Sequence, residues 1–167
     1  TRLVGSEMCI RDRDEEIASV EEEMLQIINS DPSILRNYEL LNSIKGIGTI
    51  NAMNTIIHTN NFQAFETARQ YACYLGIAPF EHSSGTSIKG KTRVYPTGAK
   101  LLKADLSQAA NSAIVWDKEM KEYYERKRKE GKAYGVVLNA VKFKLVGRMF
   151  AVVKRGTPFV ELMTYKK

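Results

Sequence analysis

Ser43-Ile44-Lys45-Gly46-Ile47-Gly48-Thr49-Ile50-Asn51-Ala52 joins two helices across a glycine turn. Before it, Ile34, Leu35, Tyr38, Leu41 and Ile44 recur at three- and four-residue steps and predict a helix over 33–44. After it a second helix is expected from about 49 to 58. Gly46 and Gly48 can take positive φ and keep side-chain bulk out of the turn. Ile44 and Ile47 anchor it from below, and Ala52 lets the two helices pack closely.

The same periodicity extends in both directions. Upstream, Ile17, Val20, Met24, Ile27 and Ile28 form one stripe of a helix over 14–30, with Glu15, Glu16, Glu21, Glu22 and Glu23 around it. Asp31-Pro32 ends that helix. It reads either as a solvated helix with one buried stripe or as half of a coiled-coil arm. Downstream, a helix over 67–74 is closed by Gly76 and Pro79. Residues 79–96 are polar and contain glycine, so a small hairpin or irregular loop is expected there. Helices follow over 97–115, 117–130 and 134–154. The first carries Leu101, Leu102, Leu106, Ala109, Ala110 and Ala113 on adjoining faces. The last carries Val137, Val141, Leu145, Met149 and Val153 on a four-residue ladder. No strand alternation persists. The fold class is mostly α: a multi-helix domain with a helix-hairpin-helix-like turn, an irregular basic loop and an amino-terminal helical arm.

At 167 residues the chain can hold one full core, or a small domain plus an arm. Hydrophobic content of 44% excludes gross disorder, and no apolar run approaches the roughly 20 residues of a membrane span. The net charge of +6 conceals a division. Residues 1–85 carry 6 basic and 12 acidic side chains, residues 86–167 carry 19 and 7. A half that basic is an electrostatic footprint for phosphate polyanions, although basic surfaces also occur without such a partner. Cys9 and Cys73 offer neither metal spacing nor a disulfide framework. Cys73 reads as a small core residue, in a reducing cytoplasmic setting.

Two features carry candidate chemistry. At the glycine turn, unpaired N–H groups opening the second helix, with the positive end of its dipole, favour a phosphate oxygen. Lys45 adds charge at the rim. Such contacts hold a backbone and read no base sequence. The second feature is Ser83-Ser84-Gly85, followed by Lys89, Lys91, Arg93, Lys100 and Lys103. A hydroxyl attacking a phosphodiester needs its non-bridging oxygens stabilised, and lysine and arginine do that. No Ser-His-Asp hydrolase set is visible. The histidines are His58 and His82, and Gly-x-Ser-x-Gly is absent. His82 reads as a surface histidine beside a turn.

In order, these motifs resemble the carboxy-terminal domain of the bridge-RNA-guided insertion-sequence transposases. That family joins an amino-terminal DEDD domain to a carboxy-terminal serine domain. The resemblance covers roughly residues 20–160. It rests on Ile44-Lys45-Gly46-Ile47-Gly48, on Phe62 and Phe65, and on Tyr74-Leu75-Gly76-Ile77-Ala78-Pro79. Ser84-Gly85 and Gly98-Ala99-Lys100-Leu101-Leu102-Lys103 complete it. Lys45 stands where the family commonly has Pro, Ala99 where it has Asn, and Lys103 where it has Arg. A lysine at 103 keeps charge but loses bidentate phosphate geometry.

The resemblance implies that Ser84, or its neighbour Ser83, is a nucleophile forming a covalent link to DNA. Lys45, Gly46, Gly48, Lys89, Lys91, Arg93, Lys100 and Lys103 are the expected nucleic-acid contacts. The partners implied are DNA, a guide RNA and further copies of the full-length protein, with no membrane. No metal site or cofactor is expected in this segment. The family's carboxylates, and the magnesium they hold, belong to the DEDD domain. Glu21–Glu23 read as a helix face, and Asp105, Asp117 and Glu119 as ordinary helical charges. Residues 14–31 are then the arm, 32–160 the transposase domain and 161–167 a basic tail. Residues 1–13 read as unstructured or as a peptide translated from sequencing-adapter DNA, and the natural chain is expected to continue upstream with other residues. Alternatives are a non-catalytic helix-hairpin-helix DNA-binding module of a repair or recombination protein, or a helical domain whose basic half meets an acidic protein.

Overall fold

The structure, a computed structural model, describes residues 2–80, 83–84, 88–89, 93–94 and 99–160, with the backbone alone for 2–10, 83–84, 88–89 and 93. It divides into two units, Thr1–Arg36 and Asn37–Lys167. Among the described residues there are seven helices and four two-residue strands, so the chain is mostly α, as the periodicity predicts.

In the first unit, α1 (Arg2–Ser30) starts well before the expected position 14. No proline interrupts that stretch, and a lone Gly5 costs a helix only about 1 kcal/mol. Apolar periodicity reports burial, and residues 11–20 of α1 are all exposed. The expected inward stripe is corrected too, because Ile28 is buried while Ile17, Val20 and Ile27 are exposed. Asp31 separates α1 from α2 (Pro32–Asn42). Its Oδ1 accepts the Ser33 N–H at 2.8 Å and the Ile34 N–H at 3.3 Å, and Pro32 takes the first helical position. The unit boundary falls within α2.

The second unit continues with α3 (Thr49–His58) and α4 (Ala68–Tyr74). Thr67 and Gln70 form a reciprocal capping box at the start of α4. Gly76, at φ +65°, ends it, and the Ile77 and Ala78 N–H groups return to the Ala72 carbonyl. Cys73 is half-buried, not a core residue, because the short helix buries Tyr71 and Ala72. Next, β1 (Pro79–Phe80) pairs antiparallel with β4 (Arg93–Val94), and β2 (Ser83–Ser84) with β3 (Ile88–Lys89). The hairpin expected over 79–96 is therefore present in its described portions. Helices α5 (Lys100–Trp116), α6 (Lys118–Lys129) and α7 (Tyr134–Arg155) complete the unit.

Helix α7 organises the core by packing on α4, α5 and α6, while α3 packs on α5. Of its expected ladder Val137, Val141, Leu145 and Met149 are buried, while Val153 is half-buried and Val152 takes the buried place. At the α5–α6 corner, Asp117 is not an ordinary helical charge. It is 2% exposed, caps α6 through the Met120 N–H and pairs with Arg148 of α7 at 2.6 Å. The same guanidinium reaches Glu119 at 2.6 Å and lies 4.4 Å from the centre of the Phe159 ring. The Phe159 N–H in turn donates to Ser43 Oγ at 2.8 Å, tying the segment after α7 to the glycine turn.

Candidate nucleic-acid interface

The two glycines of the turn divide the work. Gly46 has φ +92°, as expected, and a Cβ there would lie 2.7 Å from the Ala109 carbonyl oxygen and 2.7 Å from Ala113 Cβ. Its missing side chain lets the turn sit on the small residues of α5. Gly48 departs from the expectation: at φ −102° and ψ −179° its backbone is ordinary extended chain, and nothing lies within 4 Å of a Cβ there. It is the N-cap of α3, and among the described residues no side chain caps that helix. The first-turn N–H groups, on Thr49, Ile50 and Asn51, have no carbonyl one turn earlier to bond. Ile44 and Ile47 are buried beneath and Ala52 is fully buried, so the open donors stand on a fixed base. Lys45 is exposed beside them.

The other expected contacts fall in three groups. Lys100 is exposed in the first turn of α5. Lys103 is half-buried one turn on, and its Nζ donates to the Gly76 carbonyl at 2.9 Å. An ammonium has three donors, so two are left for another acceptor. Ser83, Ser84, Lys89 and Arg93 are placed by backbone alone, with Ser83 opposite Lys89 and Ser84 opposite Ile88. Lys91, Gly85, His82 and Gly98 lie outside the described residues. Lys103 thus joins α5 to the end of α4.

Position 142 escaped the sequence reading. Lys142 is 7% exposed on the buried face of α7. Burial first, and the nearby Lys103 charge second, push its ammonium below the ordinary value of 10.5. The signal was present: 142 lies four residues after Leu138 and three before Leu145, inside the apolar stripe. Arg148 likewise lies three residues after Leu145 and four before Val152. Asn139, one turn before Lys142, donates to the Ile77 carbonyl at 2.8 Å. The Gly76 and Ile77 carbonyls are therefore each met by a donor from a different helix. His58, exposed, shares a 3.2 Å hydrogen bond with the Tyr74 hydroxyl. Asp105 accepts from Asn54 at 3.1 Å.

A family model described as the transposase IS116/IS110/IS902 family matches residues 38–125, just over half of the chain. The chain belongs to that family. The matched range runs from α2 through the glycine turn, the paired strands and α5 into α6. Among curated relatives, the pilin gene-inverting protein of Moraxella bovis is 26% identical over 152 residues, covering 90% of this chain and 47% of that protein. Its counterpart in Moraxella lacunata matches to the same extent. The insertion element IS110 43.6 kDa protein of Streptomyces coelicolor is 30% identical over 118 residues, covering 71% of this chain and 29% of that protein. This transposase-family chain thus spans about half the length of the Moraxella proteins it matches. No helix among its described residues is long and apolar enough to cross a membrane.

Proposed function

We propose that this chain is a DNA-holding segment of a transposase or site-specific recombinase, acting in the bacterial cytoplasm. The observation that carries the reading is the uncapped start of α3 at Gly48, within the range matched by the transposase family. Its donors take a backbone phosphate, Lys45 supports them, and Lys100 and Lys103 extend the positive surface along α5. A guide RNA is a second polyanion that the basic half suits. Ser84, or Ser83, supplies the hydroxyl that attacks the phosphodiester: its oxygen bonds to phosphorus as the bond from phosphorus to one deoxyribose oxygen breaks, and that sugar leaves as a hydroxyl that takes up the proton the serine loses. The reaction also requires a DEDD domain with bound magnesium, carried elsewhere in the full-length protein. Self-association runs through α1, where exposed Ile17, Val20 and Ile27 with half-buried Met24 alternate at three- and four-residue steps.

The binding step is tested by Gly48→Asp. Aspartate is a better N-cap than glycine and its charge suits the helix dipole, so the fold keeps its stability. The carboxylate also occupies the donors and repels phosphate. Weaker DNA binding at unchanged melting temperature is expected; unchanged binding would remove the turn from the interface. The chemical step is tested in a full-length transposase carrying this segment. Ser84→Ala is expected to abolish strand exchange and the covalent protein–DNA adduct while binding persists. Exchange by the Ser84→Ala, Ser83→Ala double variant would show that neither hydroxyl is the nucleophile and favour the purely DNA-binding module.

A further inference from the structure

We propose that Lys142 on α7 and Lys103 on α5 together form a site for one phosphate group of bound nucleic acid, a role that rests on the DNA-holding reading above. Lys142 is 7% exposed, and no carboxylate pairs with it or with Lys103 among the described residues. The acids on α5 and at the start of α6 are engaged elsewhere: Asp105 with Asn54, and Asp117 and Glu119 with Arg148. Burying a charge without a partner is costly, and a second like charge beside it raises the cost. The two helices meet at one point of the chain: Lys103 of α5 holds the Gly76 carbonyl at 2.9 Å, and Asn139, one turn before Lys142 on α7, holds the adjacent Ile77 carbonyl at 2.8 Å. Nothing in the apolar packing of α7 calls for an ammonium here; a methionine would fill the stripe as well.

The geometry is open to a ligand. Among the described residues no sealed side-chain nitrogen or oxygen lacks a hydrogen-bond partner and none accompanies Lys142 Nζ, so its tip opens to the surface. Lys103 is held in place by its bond to the Gly76 carbonyl at 2.9 Å. Two ammonium groups from packed helices suit an anion with several oxygens, and a phosphodiester relieves both the repulsion and the lost hydration. The site sits at the end of α4, where the chain enters β1. It is built on α5 and α7, where the first anchor is built on α3, and gives the strand a second one.

Lys142→Met separates this role from a structural one. The variant is expected to melt at or above the wild-type temperature and to bind duplex DNA roughly tenfold more weakly at low salt, as fits loss of one charged hydrogen bond. The slope of log affinity against log salt should flatten by about one. Inorganic phosphate and pyrophosphate should raise the melting temperature of the wild type and not of Lys142→Met or Lys103→Met. Unchanged affinity and slope would overturn the proposal, and so would a lower melting temperature, which would make Lys142 a structural residue. If the wild type fails to bind DNA but gains pyrophosphate protection that both variants lose, the anion site stands and the DNA-holding reading fails.

Discussion

Gly46→Ala probes the contact that places the glycine turn. The added Cβ falls 2.7 Å from the Ala109 carbonyl oxygen, 2.7 Å from Ala113 Cβ and 2.9 Å from the Ala113 N. Two of those atoms are backbone of α5, so neither can swing aside. Forcing an extra methyl into a packed contact costs about 1–3 kcal/mol. An alanine at φ +92° adds roughly 1–2 kcal/mol of backbone strain. The sum is about 2–5 kcal/mol, or roughly 5–15 °C in melting temperature for a chain of this size. Gly48→Ala is the paired control, with open space around its Cβ and φ −102°. It should change stability by less than about 1 kcal/mol. Thermal and urea unfolding followed by circular dichroism read both variants. A Gly46→Ala cost below about 1 kcal/mol, or equal losses at the two glycines, would refute the assignment of Gly46 to packing and Gly48 to the open face.

Two further outcomes follow from the charged groups. Arg148→Met leaves the Asp117 carboxylate, 2% exposed, without its counter-charge and should cost about 3–5 kcal/mol in urea unfolding. Glu119→Gln, at an exposed side chain, should cost under about 1 kcal/mol, and similar losses from both would contradict the buried pair. Stability should also rise with pH through Lys142. Its folded pKa lies below the ordinary 10.5, so between those values the unfolded chain holds more protons and increasing pH favours the fold. Tyr71 acts in the opposite sense: burial raises its phenol from 10.0 to about 12, so stability falls across that interval. Unfolding free energies measured as a function of pH should show the alkaline rise in the wild type and not in Lys142→Met; an equal rise in both would remove Lys142 as its source.

The helices were legible because their signals are local. Asp31-Pro32 marks the α1–α2 break, Thr67 the start of α4 and Gly76 its end, each through backbone chemistry within a few residues. The partners were not legible. Gly46 reads as a turn glycine from its neighbours, but its need for a bare α-carbon comes from Ala109 and Ala113, more than sixty positions away. Asp117 looked like a solvated helical charge because Arg148 lies on another helix. Lys142 was hidden for a different reason: a lysine inside an apolar ladder reads as an interruption, and only packing shows that it is buried. The stripe on α1 misled because apolar spacing alone does not bury a helix: Ile17 and Val20 keep the period and stay exposed.

If this transposase-family chain holds a nucleic-acid backbone, its affinity for duplex DNA must fall as salt is added. Phosphates at the α3 start, along α5 and at the Lys103–Lys142 pair predict a log–log slope of roughly −3 or steeper, at about −0.9 for each neutralised phosphate. A slope indistinguishable from zero, or no binding at low salt, would contradict that role.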